Sequence, residues 1–229
     1  MKIPIHLAII MDGNSRWAKQ NNINKAIAYN KGIDVAMTII KTVKEIGVKY
    51  LTIYAFSFEN WNRNQQDITI LMDLFKSCLE NNVEKLFNND ISISFIGDRS
   101  KIRNNLRYVM NKAELISKNN FFKLRIAMSY SGKNEIIRAV LNFKKYSQKE
   151  TNDIVIIGNE FNKFINPNNI PDPDFLIRTS GEQRLSNFLL WQLSYTELYF
   201  SKELWPDFTA LDLINAIKTF KQRKRRYGK

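Results

Sequence analysis

Four polar clusters in the chain carry residue types that, taken together, suit chemistry on phosphorylated groups. The first is "DGNSRW", Asp12 to Trp17, directly after an apolar run. Asp12 cannot hold a phosphate itself, but it can hold Mg²⁺, which can bridge to one. Gly13 permits close approach of backbone to a ligand. A helix starting near Ser15 would aim free N–H groups at an anion, and Arg16 adds charge. The plainer reading is an Asp-Gly turn that caps the next helix. The second cluster is "RTSGEQRLS", where Arg178 and Arg184 stand six apart across Gly181, with Ser186 following. Two arginines across a glycine turn can fold around a phosphate or diphosphate, and the serine hydroxyl adds a donor. They could equally be surface arginines in salt bridges. The third, "SFENWNR" from Ser57 to Arg63, mixes Glu59, Asn60, Trp61 and Arg63. Asn60 is no strong base, but it can orient a substrate proton or position the diphosphate oxygen that accepts it. Trp61 suits an apolar substrate chain or simply the core. The fourth is "SYSGKNE", Ser129 to Glu135. Two separate arginine-bearing loops and one Mg²⁺-competent acid fit a reaction with two phosphorylated substrates. No "GxxxxGK[ST]" loop is present, which disfavours an ordinary nucleotide triphosphatase.

The elements that must position these clusters alternate. Strand-like runs are predicted at Ile5–Met11, Tyr50–Phe56, Ile91–Asp98, Phe122–Tyr130, Asp174–Ser180 and Glu197–Ser201. Helical stripes fall at Ile33–Ile46, closed by Gly47, at Leu71–Leu86, up to Ser117, and at Ile136–Phe143 and Leu211–Phe220. Tyr146–Asn152 reads as a polar surface loop and "NPNNIPDPD" as an irregular connection. This βαβα order predicts an α/β fold with a mostly parallel sheet flanked by helices. Ligands of such sheets sit outside the carboxyl ends of the strands, and all four clusters follow or end a strand. No domain boundary is visible, so residues 1–229 are expected to form a single domain.

The totals narrow the classes. The 229 residues are 44% hydrophobic with a net charge of +13, a globular chain with either a solvated basic surface or an anionic partner. One cysteine, Cys78, and one histidine, His6, exclude an intramolecular disulfide and His- or Cys-rich zinc sites. His6 lies within the first apolar run and reads as a satisfied core residue. No apolar run approaches the roughly 20 residues of a membrane helix. The absence of disulfides suits the cytoplasm, and membrane contact would be peripheral.

The blocks "HLAIIMDGNSRWA", "YAFSFENWNR", "IRTSGEQRLSNFLLWQ", "ELYF" and "LWPDF" resemble, in order, those of the cis-prenyltransferases, the isoprenyl transferases typified by undecaprenyl diphosphate synthase. The likeness runs from about Pro4 to Gly228. It implies a six-stranded sheet with an apolar tunnel beneath the active site, a homodimer, and Mg²⁺-dependent addition of isopentenyl diphosphate to an allylic diphosphate such as farnesyl diphosphate. The expected product is a long polyprenyl diphosphate, the lipid carrier for cell-wall polymers. By the resemblance, Asp12 is catalytic and holds Mg²⁺. Gly13, Asn14, Ser15 and Arg16 cradle the allylic diphosphate with Trp17 beside them. Ser57, Phe58 and Glu59 match a mobile loop, and Asn60 matches the residue assigned to proton removal. Trp61 and Arg63 follow in the substrate site. Arg178, Arg184, Leu185 and Ser186 match the isopentenyl diphosphate clamp, Glu197 a second metal-linked carboxylate, and Arg225–Gly228 a tail that reaches the partner's site. Lys25 and Tyr29 stand where the family usually has arginine and histidine, and "SYSGK" replaces "NYGGR". Lysine keeps the charge without the bidentate fork.

Three other readings compete. A non-catalytic partner subunit should have lost the metal-holding acid or the clamp arginines, and this chain keeps Asp12, Arg16, Arg178 and Arg184. A nucleic-acid binder should carry a continuous basic groove with exposed aromatics. Here the excess charge lies partly in Lys221–Lys229, so no nucleic-acid partner is expected. A phosphatase would use Asp12 as a nucleophile.

Overall fold

The alternating runs fold into one sheet. In the computed structural model, which describes residues 3–117, 120–147 and 152–224, the strands are β1 (His6–Ile10), β2 (Tyr50–Ser57), β3 (Ile91–Ile96), β4 (Phe122–Tyr130), β5 (Phe175–Arg178) and β6 (Glu197–Phe200). Their order across the sheet is β3-β4-β2-β1-β5-β6. Every pairing is parallel, so the mostly parallel sheet expected from sequence is wholly parallel. β1 lies between β2 and β5, which binds the two ends of the chain into one unit.

The helices are α1 (Asn14–Gln20), α2 (Lys25–Ile46), α3 (Gln65–Asn88), α4 (Asn104–Ile116), α5 (Gly132–Tyr146), α6 (Ile154–Ile165) and α7 (Ala210–Gln222). Side chains alternate across the pleat. Leu7, Ile9, Leu51, Ile53, Leu124, Ile126, Phe175 and Ile177 belong to the main core with residues of α2, α3, α4 and α7. Ala8, Ile10, Tyr54, Ala127 and Leu176 point to the other face and pack with Phe188 and Leu189.

α2 and α6 depart most from the sequence reading. α2 starts eight residues before the stripe at Ile33, because the Asn24 side chain accepts the Ala26 N–H at 2.8 Å and sets the N-cap. Its first turns bury the small or polar-tipped Ala28, Tyr29 and Gly32, which do not register as an apolar stripe. α6 was not anticipated. Asp153 caps it by accepting from Val155 and Ile156 N–H groups, and Phe161 and Ile165 pack on Ala139 of α5. The β-branched "IVII" hid it, and tertiary packing overrode that propensity.

His6 is the core residue its position suggested. Its Nδ1–H donates to the Pro171 carbonyl at 2.6 Å, and Nε2 accepts from the Thr52 hydroxyl at 2.8 Å. Burial pushes its pKa down to about 4. Among the described residues, no helix is long and apolar enough to cross a membrane.

Candidate active site

β1 ends at Ile10, and the chain turns at Asp12–Gly13 over the carboxyl edge of the sheet. Gly13 has φ +119°, in the left-handed region, and an added Cβ would meet the Leu204 backbone at 3.0 Å. Glycine is therefore required on both counts. The Trp205 backbone N–H donates to the Asp12 carbonyl at 3.0 Å, and its indole N–H donates to the Gly32 carbonyl at 2.8 Å. The "LWPDF" segment thus ties the Asp12 loop to α2. A Cβ at Gly32 would clash with the Asn14 Oδ1, so this glycine makes room for the Asn14 side chain. α1 begins directly at Asn14 with no side-chain cap, which leaves its first N–H groups without helical acceptors.

The two ends of the chain meet at Asp12. Arg178, at the end of β5, donates from Nη2 to Asp12 Oδ2 at 2.8 Å and from Nη1 to Ser186 Oγ at 2.7 Å. Arg178 Nη1 also donates to the Arg184 carbonyl. Arg16 Nη2 stands 3.1 Å from Asp12 Oδ1. Burial pushes the Asp12 carboxyl up, but the Arg178 hydrogen bond and the charges of Arg16 and Arg178 outweigh it and hold the carboxyl below the ordinary range. Sequence reasoning overlooked Glu182, which accepts from Arg16 Nη1 at 2.9 Å and pairs with Arg184. It lay inside the quoted motif, but an acid among anion-binding residues gave no signal of its own. Thr179 was also missed. Its hydroxyl donates to the Asp12 carbonyl at 2.6 Å and accepts the Asp12 N–H at 2.9 Å.

These residues line a polar cleft of about 360 Å³, which gathers Asp12, Gly13, Asn14, Ser15, Arg16, Tyr29, Ser57, Asn60, Arg63, Arg178, Arg184 and Ser186. The Ser15 and Tyr29 hydroxyls are hydrogen-bonded at 3.2 Å. Asn60 is fixed by a capping box. Its Oδ1 accepts the Ser57 N–H at 3.2 Å, and its own N–H donates to Ser57 Oγ. A second cavity, about 140 Å³ and mostly apolar, lies between α2, α3 and the sheet. Met11, Asn14, Tyr29, Ala55, Phe56 and Leu71 border both, so the cleft and this cavity share a wall.

Other expected site residues stand outside the cleft lining. Trp17 donates to Asp207 at 2.7 Å, with Lys31 over its ring. Lys25 is ion-paired with Asp67 of α3 at 2.6 Å. Lys101 covers the Phe58 ring, and Glu59 accepts from Asn187 at 2.6 Å. Trp61 packs edge-on to Phe56 and donates to Ser129, as its core reading had it. Leu185 packs against the Phe188 cluster. Glu197 is the sharpest departure. It begins β6, level with Phe175 at the amino end of β5, and pairs with Arg223 at 2.9 Å. Within one chain the sheet holds it at the end opposite Asp12, because parallel strands place first residues together and last residues together. The tail Arg225–Gly228 lies outside the described residues.

Fold and cleft together define an α/β enzyme whose arginine-lined cleft, at the carboxyl ends of the strands, lies against an apolar cavity. The family model for undecaprenyl diphosphate synthases, a prenyltransferase family, matches residues 10–228. A ditrans,polycis-undecaprenyl-diphosphate synthase of Haemophilus influenzae, described as (2E,6E)-farnesyl-diphosphate specific, is 46% identical over 99% of this chain and 95% of its own. The crystal structure of lavandulyl diphosphate synthase from Lavandula x intermedia, in complex with dimethylallyl diphosphate, superposes with a TM-score of 0.93 at 34% identity, covering 99% of each chain. That of a probable undecaprenyl diphosphate synthase from Campylobacter jejuni gives 0.81 at 31% identity, covering 100% of both. The chain belongs to the undecaprenyl diphosphate synthase family and is an isoprenyl transferase.

Proposed function

We propose that this enzyme joins isopentenyl diphosphate to an allylic diphosphate, with farnesyl diphosphate as primer, and repeats the step to build a long cis-polyprenyl diphosphate of undecaprenyl type for cell-wall polymer synthesis. One observation carries the reading: a cleft of arginines and one carboxylate shares a wall with an apolar cavity. A molecule with a diphosphate head and a hydrocarbon tail matches that pairing. Each buried methylene adds roughly 0.8 kcal/mol, so a growing chain favours the cavity as its channel.

In each cycle the allylic C–O bond breaks and diphosphate leaves. A C–C bond forms to isopentenyl diphosphate, which then gives up a proton. Arg16, with Gly13, Asn14 and Ser15, receives the allylic diphosphate and stabilises the charge that builds on it. Arg178, Arg184 and Ser186 hold the second diphosphate, which aligns the reacting carbons. Asn60 is a neutral amide whose Oδ1 is already engaged by the Ser57 N–H. It therefore serves as a positioning group, and the proton passes to a diphosphate oxygen. The donor set suits Mg²⁺, which commonly binds through one or two carboxylates plus substrate phosphate oxygens. Asp12 would hold it, and Glu197 is not assigned to it. Among the described residues no group of three or more His, Cys, Asp or Glu side chains gathers, so the diphosphate would complete the coordination. When bound, the ion would neutralise charge on the leaving group. The resemblance further supports a cytoplasmic homodimer that touches the membrane peripherally through its product.

The test is incorporation of labelled isopentenyl diphosphate onto farnesyl diphosphate with Mg²⁺, with product length resolved. Long cis products that vanish with chelator or Asp12→Ala support the reading. An inert wild-type protein with farnesyl, geranyl and geranylgeranyl primers overturns it.

A further inference from the structure

A second anion-suited site lies on the opposite side of β4 from the main core. Arg125, in mid-strand between Thr52 and Ser94, is only 6% exposed. Its guanidinium forms no hydrogen bond or ion pair with the described residues, and its Nε is buried without a partner. A buried charge without a partner is costly. This one lines a cavity of about 180 Å³ between the sheet, α5 and the loop after α6, and the cavity shares no lining residue with the catalytic cleft.

Three further features give the cavity a ligand chemistry. Arg138 of α5 also lines it and, among the described residues, forms no ion pair. Glu135 lines it too, yet stays beyond ion-pair distance of Arg125. Its Oε2 accepts from the Tyr130 hydroxyl at 2.6 Å and from Gln192 Nε2 at 2.9 Å. Both bonds fall on one oxygen, so Oε1 remains an available acceptor. Burial pushes the Glu135 carboxyl up and the Arg125 guanidinium down. Glu135 and the two arginines attract one another across the cavity, but burial outweighs that attraction for both Glu135 and Arg125. A ligand for this cavity must present negative oxygens to two guanidinium groups and an O–H to a carboxylate.

We infer that the Arg125 cavity binds a protonated phosphate, with Arg125 and Arg138 holding its oxygens and Glu135 Oε1 accepting its P–O–H. Hydrogen phosphate has that hydroxyl, whereas sulfate at neutral pH has none. The carboxylate should therefore select phosphate over sulfate, because an anion without the donor meets an unpaired negative oxygen.

The test follows the arginine Nε–Hε resonances of the whole protein by NMR during titration with inorganic phosphate, and separately with sulfate, at constant ionic strength. Arg125 is assigned through the backbone, so binding at the catalytic arginines reads out at other resonances. A saturable shift at Arg125 is expected with phosphate, with sulfate about ten-fold weaker, in line with loss of one charge-assisted hydrogen bond. Arg138→Gln, at an exposed position, should weaken phosphate and keep the fold. Glu135→Gln should abolish the discrimination, since an amide can donate to sulfate. An Arg125 resonance unmoved at saturating phosphate, equal affinity for the two anions, or phosphate affinity unchanged in Arg138→Gln would overturn the proposal.

Discussion

Arg178 donates to Asp12 at 2.8 Å across a sequence separation of 166 residues. This contact joins two walls of the polar cleft. The parallel pairing of β1 with β5 sets Ile10 beside Arg178, so Asp12, two residues past the end of one strand, and Arg178, the last residue of the other, emerge at the same edge. The second Arg178 nitrogen holds Ser186, whose φ of +48° lies in the left-handed region. Asp12 and Glu182 between them engage three arginines. The cationic groups are thereby ordered before any diphosphate arrives, which lowers the cost of arranging them during reaction.

Arg178→Lys should lower kcat/KM for isopentenyl diphosphate by about 100-fold, close to 2.7 kcal/mol of transition-state stabilisation. Lysine retains the charge but cannot reach Asp12 and Ser186 at once from a rigid fork. Steady-state kinetics with labelled substrate, beside circular dichroism to confirm folding, checks this. A loss of less than about three-fold would show that the fork is dispensable.

Lys25 and Tyr29 should behave differently although both belong to α2. Lys25 pairs with Asp67 and does not line the cleft. Lys25→Ala should leave the KM of the allylic substrate within about two-fold and cost under about 1 kcal/mol of stability, as exposed pairs do. Tyr29 lines the cleft and shares a hydrogen bond with Ser15. Tyr29→Phe should raise that KM by about five-fold, the worth of one hydrogen bond near 1 kcal/mol.

The apolar cavity should set product length. Ala36 lines it, and Ala36→Phe would fill part of its roughly 140 Å³. Chain extension should then stop early while the first condensation keeps its rate, because the cleft is untouched. Chromatography of the products resolves both. An unchanged length distribution would place the growing chain elsewhere.

His6 gives a pH prediction with a defined sign. Its pKa in the folded protein is about 4, below the ordinary 6.5. The unfolded chain therefore binds the proton more readily. Stability is full above pH 6.5, falls as pH drops toward 4, and loses no more from this group below that. The shift corresponds to about 3 kcal/mol. As the sole histidine, its ring resonance can be followed directly by NMR. Titration near 6.5 in the folded protein would overturn the prediction, and urea midpoints across the same range give the stability side.

The sequence by itself determined the βαβα alternation, the strands that carry the clusters, and most of the cleft. Apolar periodicity and turn residues are local signals, and a parallel sheet brings strand ends to one edge by its own geometry. Asp12, Arg16, Asn60, Arg178, Arg184 and Ser186 were therefore legible as residues that follow or end strands. Tertiary structure decided what local pattern cannot encode. α6 exists because Asp153 caps it and Ala139 receives it, against the strand preference of its first turn. Lys25 turns to Asp67 because α3 lies beside α2. Glu182 acquires its role only when the loop after β5 folds onto α1. Glu197 and Asp12 part company because one begins its strand and the other follows its strand's end, and a parallel sheet sends those positions to opposite edges. Spacing along a chain reports which face a residue takes within its own element. Which residues meet depends on how the elements pack, and that is settled by burial over the whole core.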